Sequence, residues 1–262
     1  MSVVRKLSDT PSITSLKDKV SPEEWQTRVD LAAFYRLVAW HGWDDMIYTH
    51  ISARVPGPET HFVMNPFGLL FEEITASSLI KVDMQGELVM DSPYLANPAG
   101  FTIHSAVHGA REDAHCVAHL HTDDGVAVAA QKEGLLPLSQ HAMIVRRRTA
   151  THAYEGIALN LDERERLVKD LGDNHLMLLK NHGTLALGKD CATAYQGIYY
   201  LERACSMQVR AQAGGGELVI PSEEVQALTH KQGAAIFDGS AGALAWPALL
   251  RKLDKLDASY RT

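Results

Sequence analysis

The sequence predicts a single α/β domain with helices on both faces of one sheet. Three observations lead there. Segments of helical period stand before, between and after segments of strand period. The strand segments are short and bounded by turn residues, as antiparallel strands are. The chain has 262 residues, 46% apolar and 22% charged, which suffices for one large domain or two small ones. No internal repeat is visible.

Residues 1–20 are polar and read as a flexible arm. Ser21-Pro22-Glu23-Glu24 is a helix start: Ser21 can cap, Pro22 fits the first turn and Glu24 completes a capping box. Trp25, Val29, Ala32, Ala33, Leu37 and Trp40 follow at helical spacing, and Gly42 is a stop. Residues 46–55 and 60–68 read as strands. Residues 74–82 read as one or two helical turns, and 81–90 as a hairpin turning at Gln85-Gly86. Asn97-Pro98 opens a helix to about Arg111, with Ile103, Val107 and Ala110 on one stripe. A strand at 115–121 and a helix of small residues at 122–133 come next, then an extended stretch at 135–148. Residues 161–171 are a charged amphipathic helix. Residues 175–188 are two strands joined through Asn181-His182-Gly183, and 191–213 are a long helix. After Gly214-Gly215-Gly216, residues 222–232 and 246–256 are amphipathic helices. The expected division is an arm (1–20), a main domain (21–213) and a helical extension packed on it (214–262).

Composition excludes several functions. Lys and Arg number 25 against 32 Asp and Glu, a net charge of −7. Such a chain lacks the basic field that nucleic acid or an anionic membrane attracts. No apolar run approaches the ~18–20 residues of a membrane span, and the N-terminus lacks a secretory apolar stretch. Cys116, Cys191 and Cys205 are odd in number and widely spaced, which points to a reducing cytoplasm. Neither GxGxxG, GxxxxGK[ST] nor GxSxG occurs, so nucleotide-binding and serine-hydrolase chemistry have no local support.

Histidine is the unusual residue, at 13. His119 and His121 lie two apart in a strand, so both imidazoles project from one face, a common way to supply two metal ligands. The same spacing also suits ordinary core or surface histidines. His182 lies in a turn at the end of an apolar strand, where side chains of a sheet often converge, and is the best-placed third ligand; a plain turn residue is the alternative. His104 and His108 are one helical turn apart, but Ser105 stands where an HExxH glutamate would be, so a polar helix face fits equally. Arg146-Arg147-Arg148 reads as an anion clamp or a solvated face.

Taken together, several segments resemble the class II aldolase/adducin family: YTHISARV (48–55), NPFGLLFEEITASSL (65–79), NPAGFTIHSAVHGAR (97–111), HCVAHLHTDDGVAVAA (115–130), AYEGIA (153–158) and LLKNHGTLALG (178–188). The resemblance covers about residues 22–212, in one order throughout. It implies a three-layer α/β/α sandwich with a mostly antiparallel central sheet, and a homotetramer with active sites at subunit interfaces. It also implies a divalent metal, zinc first with manganese or iron as alternatives, on His119, His121 and His182.

The departures are informative. The stretch that is Ser-Ser-Glu in the family's sugar-phosphate aldolases is Pro98-Ala99-Gly100 here, so the acid/base carboxylate is missing. The phosphate loop Thr-Pro-Thr-Gly is Asn65-Pro66-Phe67-Gly68, and Gly-Asn-x-Ser-x-Arg is Thr49-His50-Ile51-Ser52-Ala53-Arg54. These residues look like the adducin head and its bacterial relatives. His104 follows Gly100 by one turn, and helical side chains lean toward the N-terminus. It is therefore the expected substitute acid/base or fourth ligand, with Tyr154 and Glu155 as weaker candidates. The expected function is a metal-dependent lyase acting on a small hydroxy- or keto-acid or carbonyl compound through enolate stabilisation. The alternative is an adducin-head-like assembly module with a structural or vestigial metal.

Overall fold

A computed structural model describes residues 14–96, 98–157 and 161–262, with backbone alone for 98–101. Most of the arm expected at 1–20, Asn97 and Ala158 lie outside them. Seven strands among the described residues form one sheet: β1 (His50–Arg54), β2 (Phe62–Met64), β3 (Ile80–Val82), β4 (Cys116–Leu120), β5 (Thr149–His152), β6 (Leu176–Leu179) and β7 (Gly183–Gly188). Their order is β3-β2-β1-β4-β7-β6-β5. Every pair is antiparallel except β5 with β6. The helices are α1 (Pro22–His41), α2 (Pro98–Ala110), α3 (Asp123–Ala129), α4 (Gln140–Val145), α5 (Glu163–Leu171), α6 (Cys191–Ala213), α7 (Glu223–Gln232) and α8 (Ser240–Leu256). A mixed, mainly antiparallel sheet flanked by helices is the fold the sequence predicts.

Period-2 alternation sorts the strand residues between two apolar layers. Ile51, Ala118, Leu120, Leu176, Leu178 and Ala186 join the core beneath α1 and α6. Val117, Met177, Leu179, Leu185 and Leu187 join Ile103 and Val107 of α2 and Leu167 and Leu171 of α5. His119 and His121 share the parity of Val117, so they belong to the α2 side. So do His50 and Ser52, which pair with His119 and Val117 across β1 and β4.

Local differences from expectation have physical causes. Ser21 Oγ accepts from the Glu24 amide at 3.1 Å, and Gly42 ends α1 with φ 66°. The Glu24 carboxylate does not close the capping box. It turns to Arg28 Nε (2.9 Å) and Lys81 Nζ (2.8 Å), because charge-assisted bonds outcompete a neutral amide. The strand expected from residue 46 starts only at His50, since Thr49 sits in the left-handed region at φ 57°. Of the hairpin at 81–90 only a single bridge, Val82 to Leu88, pairs back. Of the one or two helical turns expected at 74–82, one hydrogen-bonded turn forms, with the Ser78 amide on the Thr75 carbonyl at 3.1 Å; Ile80–Val82 is strand, and a 3-10 turn lies upstream at Phe71–Glu73. Residues 135–148 are not extended. Ser139 caps α4 by accepting from the Ala142 amide at 3.1 Å, and Ala142, Ile144 and Val145 are buried. Six residues are too few for a helical period to show. α3 stops at Ala129, and α8 begins earlier than expected and runs through Pro247. α8 lies against α1 and α6, and Trp246 Nε1 donates to Asp30 Oδ1 at 2.8 Å.

Arg28 is fully buried. Its guanidinium also donates to the carbonyls of Leu79 (2.7 Å) and Ala76 (3.3 Å), tying α1 to the entry of β3. Replacing Glu24 by Ala strands this charge without its partner. The expected loss is about 3–5 kcal/mol, read as a lowered urea midpoint at unchanged slope.

Candidate functional site

His119 and His121 project from the end of β4, one within the strand and one just past it. His182 arrives from the turn between β6 and β7. That turn is set by Asn181 at φ 57°, a conformation asparagine tolerates, and by the His182 amide donating to the Leu179 carbonyl at 3.0 Å. The three residues offer one ring nitrogen each within 4.8 Å of one another. His119 Nε2 lies 3.0 Å from His121 Nε2 and 3.2 Å from His182 Nε2. Gly183 makes this approach possible. A Cβ there would overlap the Leu120 carbonyl oxygen and lie 3.2 Å from both the His119 and His121 rings.

Hydrogen-bond direction fixes the tautomers. His119 Nδ1 donates to the Thr184 carbonyl at 2.9 Å, which can only accept. His121 Nδ1 faces Asp45 Oδ2 at 3.0 Å and donates likewise. In neutral rings, both Nε2 atoms then carry lone pairs. Burial keeps His119 from protonating, followed by the effects of His182, His50 and His121. Burial, then His121 and His152, lowers His182 to about 4. Two lone pairs 3.0 Å apart repel unless a cation lies between them. Tetrahedral Zn–N bonds of about 2.0–2.1 Å place neighbouring nitrogens roughly 3.3 Å apart, close to the spacing seen. The donor set therefore fits a divalent ion.

A second chain of polar groups runs behind this cluster. His108 Nδ1 donates to the Ala114 carbonyl at 2.7 Å, leaving its Nε2 to accept from Ser52 Oγ at 2.7 Å. Ser52 Oγ, its proton committed, accepts from His104 Nδ1. His104 Nε2 then accepts from His50 Nδ1 at 2.7 Å. Burial is the first cause holding His50, His104 and His108 well below the usual histidine range, so the neutral assignment is consistent along the chain. The chain's direction leaves His50 Nε2 as an acceptor, with no partner among the described residues.

These groups meet at a cavity of ≈ 380 Å³. Its lining includes Asp45, Thr49, His50, Phe67, Tyr154 and Ile157 with the three histidines, and no Lys or Arg among the described residues. Thr49 is strained at φ 57°, and its buried Oγ1 has no hydrogen-bond partner among the described residues.

The structure thus brings His119, His121 and His182 together. His104 is 2% exposed, has both ring nitrogens engaged and does not line the cavity; it stands behind His50, which does. Tyr154 is on the rim, its ring 6.2 Å from that of His182. Glu155 pairs instead with Arg166. The arginine run lies elsewhere: Arg146 donates to the Leu135 carbonyl, Arg147 pairs with Glu223, and Arg148 covers Phe237. Sequence reasoning missed His50 and Asp45. For His50 a signal existed, because Thr-His-Ile-Ser places His50 and Ser52 on one strand face. Asp45 comes from a loop whose position only the tertiary fold sets.

Comparison with known proteins agrees with this architecture. The family profile described as Class II Aldolase and Adducin N-terminal domain matches residues 29–209. The chain belongs to the class II aldolase/adducin family. A Caulobacter vibrioides protein with an aldolase class 2 name is 59% identical, over 94% of this chain and 96% of its own. Rattus norvegicus alpha-adducin is 41% identical over 90% of this chain, but that match spans 34% of the adducin. Among solved structures, an aldolase II superfamily protein from Pseudomonas syringae superposes with a TM-score of 0.92. It is 53% identical, over 95% of this chain and all (100%) of that one. L-fuculose 1-phosphate aldolase from Glaciozyma antarctica superposes with a TM-score of 0.78 at 26% identity, over 97% of each chain. Class II aldolase/adducin membership therefore rests on nearly the whole chain, the sheet and the histidine-bearing strand ends included.

Two outcomes test the site's physical chemistry. His108 is held down to about 3, by burial and then by Arg54 and His115, against a partial upward pull from the Ala114 carbonyl. The unfolded chain takes this proton near pH 6.5, while the folded chain refuses it until about pH 3. The stability it contributes is complete above pH 6.5. It is lost as the pH falls through that window, by on the order of 1.4 kcal/mol per pH unit. Melting of the metal-free protein between pH 7 and 5 is expected to show this fall together with those of His50, His104, His119 and His182, which burial also holds down, and His108→Gln to reduce its slope by one proton's share. Separately, Gly183→Ala is expected to cost about 1–3 kcal/mol by overpacking, measured by chemical denaturation.

Proposed function

We propose that the chain is a metal-dependent lyase acting on a small 2-hydroxy or 2-keto acid, or a related carbonyl compound. The observation that carries this reading is the convergence of one ring nitrogen each from His119, His121 and His182 at a cavity wall, within 4.8 Å of one another. These residues would hold the ion, zinc in the first instance with manganese or iron as competitors. A divalent ion there would supply Lewis-acid polarisation of a substrate carbonyl and so favour enolate formation.

The chain's own residues do the rest. His50 Nε2 faces the cavity as a proton acceptor. His104 performs the acid/base role expected of it at one remove, by fixing His50 Nδ1 as the protonated nitrogen. Phe67 and Ile157 give one wall an apolar surface. No described cation on the lining would meet a phosphate dianion, which supports a non-phosphorylated substrate over a sugar phosphate. Three free cysteines suit a cytoplasmic setting. The family resemblance supports a homotetramer with the cavity near a subunit interface.

A second reading, an assembly module without turnover, is favoured by the identity with alpha-adducin. One experiment separates the two. Elemental analysis of purified protein is expected to find one equivalent of metal per chain. Turnover on a panel of 2-hydroxy and 2-keto acids is expected to vanish on chelation and in His119→Ala. His50→Gln should keep the metal and lose roughly 100- to 10,000-fold in kcat. His104→Ala with unchanged metal and unchanged turnover would remove His104 and its link to His50 from the mechanism. Bound metal with no turnover on any of the panel favours the assembly module.

A further inference from the structure

Glu202 of α6 is 1% exposed and lies on the opposite face of the sheet from the histidine cluster. Its two carboxylate oxygens have different partners. Oε2 accepts from Thr122 Oγ1 at 2.5 Å, and Oε1 accepts from Thr184 Oγ1. Thr122 is the residue after His121. Its hydroxyl oxygen also accepts from the Gly125 amide at 3.0 Å and so caps α3. Thr184 is two residues after His182, and its carbonyl is the acceptor that fixes the His119 tautomer. One carboxylate therefore holds the two strand ends that carry all three imidazoles.

We infer that Glu202 is a positioning residue, which sets the spacing of the His119, His121 and His182 rings through Thr122 and Thr184. This role rests on the metal reading above. Two further observations support it. The arrangement is costly: burial pushes the Glu202 carboxyl up to about 7 even though both threonine hydroxyls act to lower it. An apolar side chain in the same place would avoid that cost, so stability alone is a poor reason for a carboxylate there. The pocket around it is also filled. A Cβ on Gly125 would lie 2.5 Å from Thr122 Oγ1 and 3.1 Å from Glu202 Oε2, so α3 packs directly on the clamp. Outer groups that orient metal-binding histidines tune affinity without touching the ion.

The test compares wild type with Glu202→Gln, Glu202→Leu and Thr184→Val, using zinc affinity by chelator competition and the visible spectrum of the cobalt-loaded protein. Leu253→Ala, in the buried face of α8, serves as a control for general destabilisation. Glu202→Leu is expected to weaken zinc binding by roughly 10- to 100-fold and to alter the cobalt band. Thr184→Val should move both readouts in the same direction, and Glu202→Gln should fall between. Leu253→Ala should lower the melting temperature with affinity and spectrum unchanged. If Glu202→Leu does not fold, Thr184→Val and Glu202→Gln decide. Wild-type affinity and spectrum in both of those variants would overturn the role of Glu202 alone. A wild-type protein that takes up neither zinc nor cobalt would overturn the metal reading, and this role with it.

Discussion

The antiparallel pairing of β4 with β7 is the constraint on which the rest of the site depends. It puts His119 opposite Leu185 and Leu120 opposite Thr184. The end of one strand thereby meets the turn that opens the other. A shift by one residue would send His119 to the apolar α6 side and Ala118 and Leu120 to the cavity side. Register is protected because both faces are buried, each by its own apolar layer. Gly183 then lets the backbones approach closely enough for ring nitrogens to meet. Geometry and chemistry are set together here, since the alternation that packs the core also aims the imidazoles.

The buried polar network extends that logic away from the cavity. Histidine chains in a protein interior are expensive unless every donor and acceptor is used. From the Ala114 carbonyl to His50, each link has a single consistent direction, and His50 Nε2 is the only end left over. The polarity of a distant carbonyl is thus passed to a nitrogen on the cavity wall. The left-handed Thr49 just before β1 adds strain at the same point.

Much of this could be read from the residues. Capping residues and periodicity located α1 and α6 closely, and the HxH spacing with the Asn-His-Gly turn named the three converging histidines. Other parts were hidden for definable reasons. α4 is shorter than two helical turns, so its pattern cannot be told from an extended run. Four-residue β5 follows three arginines and carries no apolar alternation of its own. His104 was placed by its helix and its distance from Gly100, whereas the cavity is lined by His50, which only the pairing of β1 with β4 brings alongside His119. Glu202 has no local signature at all. A glutamate in a helix is ordinary until the fold buries it against two threonines.

The one parallel pair in the sheet, β5 beside β6, has a consequence for the upper wall. Parallel neighbours finish at the same end, so β5 delivers residues 153–157 next to the His182 turn, with the Lys180 amide bonded to the His152 carbonyl at the junction. An antiparallel β5 would have released that segment at the far edge of the sheet. Floor and ceiling of the chamber thus have separate origins: central register dictates the first, a peripheral strand hands over the second. Side chains of the ceiling can therefore change without disturbing the histidine floor, because the two are held by different strand pairs.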